Sequence, residues 1–172
     1  MAYQEIGTSI QSVQQSIDHI LETTANLPEE TIRFKPAEDE WSIMQILSHL
    51  AEAIPYWLDE VETVIAMPGA EWGRGLQDPA RLAAVTDTDK LAVDDVRKQV
   101  EELKYKVESG LGNLDEETLS KESPHRNFAK FGNKPVSYIV DHFIDEHVSG
   151  HYDQIQRNLS KTSEANKKES RD

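Results

Sequence analysis

The chain contains no cysteine among its 172 residues. Disulfide bonds, thiolate metal sites and cysteine nucleophiles are therefore excluded, and any bound metal must be held by nitrogen and oxygen ligands. No apolar run approaches the ~20 residues that a membrane-spanning helix needs. The opening stretch MAYQEIGTSI also lacks the basic and apolar regions of a signal peptide. These absences predict a cytoplasmic protein without a membrane segment.

Basic residues are scarce as well. The 18 lysines and arginines face 32 aspartates and glutamates, which gives a net charge of −14. Such a surface repels the phosphate backbone of nucleic acids and the headgroups of anionic lipids. We therefore expect neither a nucleic-acid partner nor a membrane partner.

Apolar residues recur at alternating intervals of three and four in four segments, a pattern that predicts four amphipathic helices. The first three apolar stripes are Ile6, Ile10, Val13, Ile17 and Ile20; Ile43, Leu47, Leu50, Ile54, Trp57 and Val61; and Val93, Val96, Val100, Leu103, Val107 and Leu111. Ser42 and Gln45 form a capping box that begins the second helix. The fourth helix is predicted from about Pro135 to Leu159.

The segments between the helices include two long irregular connections, 68–86 and 120–135, and no convincing strand or internal repeat. We therefore predict an all-α protein, a four-helix bundle with long connections, and not a simple up-down-up-down order. The bundle is expected to span residues 1–160. Residues 161–172 are polar and charged and have no apolar face, so we predict a disordered tail there.

Two histidines interrupt the apolar stripe of the fourth helix. His147 and His151 lie four residues apart, at two positions where the periodic pattern predicts apolar side chains. Two imidazoles so placed on a helix can bind one metal ion. The alternative is a pair of core histidines that are hydrogen-bonded to their neighbours. Because each buried imidazole must stay neutral and find a partner, two in succession favour the metal.

His49, at the edge of the buried stripe of the second helix, is the natural third ligand. The other histidines are weaker candidates. His142 falls on the polar side of its helix, and His19 has no second ligand nearby in sequence. His125 lies in an irregular segment, where it could be near a substrate or have no role. The residue after His147 is Val148, so the H-E-x-x-H motif of zinc peptidases and its general base are missing.

Three further residues are candidates for the surroundings of this metal site. Gln154 could orient a ligand or a bound water. Gly150 could relieve crowding against a neighbouring helix, the commoner reason for a glycine in a helix, or leave room for a ligand beside His151. Trp72 could close over the site as part of a mobile loop, or plug the end of the bundle. Trp41 and Trp57 are assigned to packing.

Two segments, FKPAEDEWSIMQILSHLAEA and VDHFIDEHVSGHYDQIQ, resemble the DinB-like (DinB/YfiT-like) superfamily of bacterial metal-binding four-helix bundles. The matching positions are Trp41, Ser42, His49, His147, His151, Gln154 and Ile155. The resemblance covers roughly residues 4–160. It implies that His49, His147 and His151 bind a divalent ion, often nickel or zinc. Many relatives have a second histidine directly before the final ligand, where this chain has Gly150.

The resemblance also implies candidate activities, since characterised relatives include thiol-dependent transferases and others are described as metal-dependent hydrolases. Three hypotheses follow: a metal-dependent transferase that activates a low-molecular-weight thiol, a metal-dependent hydrolase, and a non-catalytic bundle whose ion is structural. Either enzyme would act on a small-molecule substrate. Relatives are often dimers, so a homodimer is one expectation, although nothing in the sequence isolates an interface.

Overall fold

The computed structural model describes the backbone of residues 5–171 and the side chains of residues 5–165. The helices are α1 (Ile6–Thr24), α2 (Glu29–Arg33), α3 (Ile43–Ala66), α4 (Pro79–Ala83), α5 (Val93–Leu111), α6 (Glu116–Leu119), α7 (Phe128–Phe131), α8 (Val136–Tyr138) and α9 (Glu146–Arg171). A 3-10 turn spans Thr88–Lys90, and a π-helical segment, Ile139–Asp145, joins α8 to α9 as one continuous helix. Two short strands are β1 (Glu122–Pro124) and β2 (Asn133–Pro135).

The four long helices form a bundle in which chain neighbours are not always spatial neighbours. Helices α1 and α3 each pack against α5, α9 and the π-helical segment. Helices α1 and α3 therefore occupy opposite corners of the bundle, and so do α5 and α9. The connections 25–42 and 112–135 each cross to a diagonal corner. The predicted all-α four-helix bundle with long connections is confirmed.

The core is formed by the predicted apolar stripes. Except for Ile6 and Val93, which are partly buried at the helix ends, every residue of the first three stripes is buried. The capping box is also present: Gln45 N donates to Ser42 Oγ at 3.1 Å, and Ser42 N donates to Gln45 Oε1 at 2.9 Å. This cap satisfies two orphan donors and fixes where α3 begins, which sets the position of His49 about two helical turns later.

The two strands were not predicted, because segments of three residues are too short to show a pattern of alternation. Strands β1 and β2 pair antiparallel, and the turn between them uses Gly132, which has a φ of 64°. Trp72 joins this hairpin: its N–H donates to Pro124 O at 3.1 Å, and Arg126 N donates to Trp72 O at 2.8 Å. These hydrogen bonds tie the connection between α3 and α5 to the connection between α5 and α8.

The final helix is longer than predicted, since α9 continues to Arg171. No glycine or proline stops it after Leu159. Thr162 is buried, and Asn158 Nδ2 donates to Trp41 O at 2.8 Å, so this part of α9 is anchored to the segment before α3. The domain boundary at residue 160 stays a prediction. The tail predicted to be disordered, residues 161–172, includes residues 166–172, whose side chains lie outside the described residues.

Within residues 5–171, none of the helices is both long and apolar enough to cross a bilayer.

Candidate metal centre

Three histidines from two helices meet at one side of the bundle core. His49 lies in the second turn of α3, and His147 and His151 lie in the first two turns of α9. Because residues four apart share a helix face, the rings of His147 and His151 are only 4.8 Å apart between centroids. His49 is 2% exposed and its ring lies 5.1 and 4.8 Å from theirs. The structure thus brings together the three histidines predicted as ligands.

The imidazole nitrogens are close enough to share one ion. His49 Nε2 lies 3.0 Å from His147 Nε2, and one ligand nitrogen from each histidine lies within 4.8 Å of the others. Two nitrogens bound to one ion at about 2.0–2.1 Å are separated by about 3 Å. The spacing of His49 and His147 therefore fits adjacent ligands of a single ion.

Hydrogen bonds fix the tautomers of the two histidines on α9. His147 Nδ1 donates to the Phe143 carbonyl oxygen at 3.0 Å, and His151 Nδ1 donates to Gln154 Oε1 at 2.8 Å. Since an oxygen of this kind only accepts, both Nδ1 atoms carry the proton in the neutral rings. Each Nε2 then presents a lone pair, and the partners hold the ring orientation as they do around bound metals.

Only one of the two ring nitrogens of His49 is satisfied by a hydrogen bond. Its Nδ1 is buried, and no hydrogen-bond partner for it is present among residues 5–165. In the neutral, metal-free protein, His147 Nε2 is an acceptor, so the proton of His49 lies on Nε2 and its Nδ1 lone pair is orphaned. A buried orphan costs about 1–3 kcal/mol. An ion bound through Nε2 would move the proton to Nδ1 without giving it a partner, so the metal is indicated by the convergence of three imidazole nitrogens, a donor set that fits a transition metal.

Burial keeps these histidines neutral. Desolvation, followed by the charges of His151 and His147, lowers the pKa of His49 to about 2. Desolvation and then His151 lower the pKa of His147 to about 4, and desolvation also lowers the pKa of His151. Neutral imidazole is the form that binds a metal, so the site is in a binding state at neutral pH.

The π-helical segment before α9 supplies one of these hydrogen-bond partners. Within it, Glu146 N donates to Asp141 O, five residues earlier, and Phe143 offers its carbonyl to His147. Segments of this kind add a residue to one helical turn and recur at functional sites. The stretch IVDHFID contains no glycine or proline that would indicate a π-helical segment, so its apolar spacing predicts a regular helix instead.

A cavity of about 270 Å³ opens beside the three histidines. Its lining residues are His49, Trp57, Arg74, Gly75, Leu76, Arg81, His142, Phe143, His147 and His151. A larger groove, of about 730 Å³, lies between α3 and α5, but its lining contains neither a histidine nor an aromatic residue. The smaller cavity is therefore the one that joins space for a ligand to metal-binding groups.

The three residues proposed to surround the site lie at different distances from it. Gln154 contacts His151, as described above. Gly150 instead lies on the exposed face of α9, where an added Cβ would meet no atom within 4 Å, so it does not line the cavity. Trp72 is 1% exposed, and its Nε1 donates to Ser123 O at 3.1 Å. It does not close over the histidines but packs behind the cavity wall, with its ring 5.6 Å from that of Phe143.

Two tryptophans that were assigned to packing also belong to the site. Trp57 lines the cavity and packs on Phe143 at 4.3 Å between ring centroids. Trp41 lies 5.0 Å from His49 and stacks on His151 at 6.1 Å with an interplanar angle of 17°. Both were predicted to be buried for their apolar surface, and only the tertiary arrangement shows that this surface faces the histidines.

The other histidines lie apart from the three. His142 was expected in solvent; its side chain is 44% exposed, yet it also lines the cavity, and its Nδ1 lies 2.8 Å from Glu146 Oε2. His125 is buried behind Trp72 and its Nδ1 accepts from Asn127 N at 2.9 Å. His19 is exposed and near Tyr152.

Two arginines in the connection between α3 and α5 also line the cavity. Arg74 donates to both oxygens of Glu52, at 2.8 and 2.7 Å, and stacks on Tyr56 at 4.0 Å. Arg81 lies in α4, with its guanidinium carbon 5.6 Å from the Trp41 ring centroid. Neither arginine was predicted to line the site, because an irregular connection has no periodicity that reveals which side chains turn inward.

Comparison with known proteins agrees with this architecture. Residues 12–155, which include all three histidines, match the family model of the DinB superfamily. A solved structure of YfiT from Bacillus subtilis superposes with a TM-score of 0.74, covering 93% of this chain and 90% of that one at 10% identity. It is described as a probable metal-dependent hydrolase with an unusual four-helix bundle topology. At this identity the likeness concerns the fold. No curated protein matches the sequence.

Proposed function

The chain belongs to the DinB superfamily, and we propose that it is a metal-dependent hydrolase of a small-molecule substrate. His49, His147 and His151 hold the divalent ion in this proposal. The observation that carries it is the convergence of three imidazoles on a cavity. Hydrogen bonds to Phe143 O and Gln154 Oε1 hold two of them so that their Nε2 atoms carry the lone pairs. A structural ion alone would not need the cavity.

The donor set restricts the metal. Three neutral imidazoles without thiolate or carboxylate favour transition metals over magnesium and calcium, and we propose nickel or zinc. Three protein ligands leave at least one position for water or substrate, which is typical of catalytic sites. When bound there, the ion supplies Lewis-acid chemistry, which activates water and polarises a carbonyl oxygen.

The surrounding residues orient and shield that chemistry. Phe143 contributes twice, since its carbonyl orients His147 while its ring lines the cavity beside Trp57. These apolar walls exclude bulk water, which strengthens electrostatic interactions inside the cavity. His142, with Glu146 at its Nδ1, is the remaining imidazole at the cavity and is placed to accept or deliver a proton.

Transfer of a small thiol is the second candidate. The same ion would activate a thiol in place of water, and because the chain lacks cysteine, that thiol would have to be a low-molecular-weight cofactor. The hydrolase is preferred because it needs only water and one substrate at the ion, whereas transfer requires both a thiol cofactor and a second substrate beside the three histidines, in a cavity of about 270 Å³.

The two activities and the non-catalytic alternative are separated by one set of assays. Zinc- and nickel-loaded protein is incubated with 4-nitrophenyl acetate and, in parallel, with the thiol-reactive acceptor 1-chloro-2,4-dinitrobenzene plus a small thiol. The proposal expects ester hydrolysis that is lost on chelation, restored by metal and independent of thiol. Turnover only with thiol would replace the hydrolase by the transferase. Metal that raises thermal stability without turnover in either assay would favour the structural ion.

A further inference from the structure

The cavity carries a charge opposite to that of the protein. The net charge of the chain is −14, yet the charged side chains that line the cavity are Arg74 and Arg81, and its lining includes no aspartate or glutamate. A divalent ion would add further positive charge. Walls of low dielectric focus such a field, so the cavity attracts an anion although the surface around it repels one.

Arg74 is not free to bind that anion. Its side chain is 6% exposed and its two terminal nitrogens are engaged by the two oxygens of Glu52. Asp78 Oδ1 lies 3.4 Å away as well. The bidentate pair neutralises the guanidinium and anchors the connection on α3, a positioning contact.

Arg81 differs from Arg74 in its partners. Its Nη1 donates to the Leu76 carbonyl oxygen at 3.0 Å, and it forms no salt bridge with any side chain of residues 5–165. A guanidinium has five N–H donors, so most of them remain available. Although desolvation is the larger cause, the charge of Arg81 also lowers the pKa of each of the three histidines, which agrees with its place beside them.

The position of Arg81 is built into the fold. Asp78 caps α4 by accepting from Arg81 N at 3.1 Å, and Pro79 occupies the first turn. Gln45 Nε2 donates to Val85 O at 3.0 Å and so ties the end of this segment to α3. On the other side, the indole face of Trp41 supports the guanidinium. An arginine held in this way loses little side-chain entropy when it binds a ligand.

We propose that Arg81 determines specificity by binding the oxyanion, carboxylate or phosphate, of a small organic anion whose apolar body lies against Trp57 and Phe143. This inference rests on the proposed hydrolase and names its substrate class. The cavity of about 270 Å³ limits the substrate to a small molecule. Guanidinium, apolar wall and metal-binding histidines all line this one cavity, so anion, body and scissile bond can be bound at the same time.

The test is isothermal titration calorimetry on zinc-loaded and metal-free protein. The probes are benzoate and phenyl phosphate, with benzamide as the uncharged analogue. The variants are Arg81→Gln, Arg81→Lys and the charge-matched control Arg157→Gln, which lies on the exposed face of α9. We expect wild type to bind at least one oxyanion more tightly than benzamide. Arg81→Gln should weaken the binding of that oxyanion by about tenfold or more, which corresponds to the loss of one charge-assisted hydrogen bond.

The controls separate a binding role from a structural one. Arg81→Lys should retain part of the oxyanion affinity, and Arg157→Gln all of it, while benzamide binding and zinc content stay unchanged throughout. Which probe is affected distinguishes carboxylate from phosphate. Equal oxyanion affinities for wild type and Arg81→Gln, or oxyanion binding that needs zinc but ignores Arg81, would overturn the inference and leave the hydrolase intact. Oxyanion binding that depends on Arg81, in a protein that takes up no metal, would support the anion-binding role of Arg81 and refute the proposed hydrolase function.

Discussion

Acidification should unfold the metal-free protein because of its buried histidines. In an unfolded chain a histidine has a pKa near 6.5, whereas in the folded protein the pKa of His49 is lowered to about 2 and that of His147 to about 4. The unfolded state therefore binds more protons below pH 6.5. The stability contributed by neutral histidines is present above that value and is lost as pH falls toward the folded pKa values.

The magnitude follows from the same shifts. At pH 5, about 1.5 units below the unfolded pKa, each of the two histidines is protonated in the unfolded chain and still largely neutral in the folded protein. At about 1.36 kcal/mol per pH unit, each therefore lowers the free energy of unfolding by about 2 kcal/mol. The pair costs about 4 kcal/mol, a large share of the 5–15 kcal/mol that typically stabilises a domain. Burial lowers the pKa of His151 and His125 as well, which adds to the same trend.

Urea unfolding followed by tryptophan fluorescence in the presence of a chelator measures this effect at pH 7 and pH 5. Wild type should lose about 4 kcal/mol or more between the two. The double variant His49→Leu/His147→Leu should lose about 4 kcal/mol less than wild type, and the exposed-residue control His19→Gln should behave like wild type. Raised pKa values of Asp141 and Asp145 act in the opposite direction but are common to all variants. An equal loss in wild type and the double variant would refute the reasoning.

Three further outcomes test individual contacts. Gln154→Leu removes the acceptor of His151 Nδ1 and should weaken metal binding by about 10–100-fold in a chelator competition; an unchanged affinity would contradict the role given to Gln154. Ser42→Ala removes half of the capping box of α3 and should cost about 1 kcal/mol in urea unfolding, without changing metal stoichiometry. Trp72→Phe leaves Ser123 O without its indole donor and should destabilise by about 1–3 kcal/mol, while a loss of metal in this variant would contradict its place behind the cavity wall.

The parts of the fold that the sequence predicts are those encoded by local patterns. Spacing of three and four places Ile10, Val13 and Ile17 on one face whatever their partners are, and Ser42 with Gln45 specifies the start of α3 by itself. The same spacing is enough to align His147 with His151. These features depend on the geometry of one helix, which the sequence determines directly.

The parts that the sequence does not predict depend on distant contacts or on departures from regular helix geometry. The π-helical segment changes how Phe143 meets His147, and nothing in IVDHFID signals it. Arg81 reaches the cavity because an irregular connection folds back on α3, which periodicity does not describe. Gly150 was expected near the ligand because it neighbours His151 in sequence. Consecutive residues of a helix lie on different faces, however, and Gly150 is on the exposed face of α9.

The central claim is that His49, His147 and His151 bind one divalent ion. Its most direct test is metal content by inductively coupled plasma mass spectrometry after identical reconstitution with nickel or zinc. Wild type is compared with His49→Ala, His147→Ala and His151→Ala, with His19→Ala as control and circular dichroism to verify folding. We expect close to one ion per chain in wild type and in His19→Ala, and little in folded samples of the other three. Wild-type protein that retains no divalent ion, or full metal content in folded His49→Ala, His147→Ala and His151→Ala, would contradict the three-histidine site.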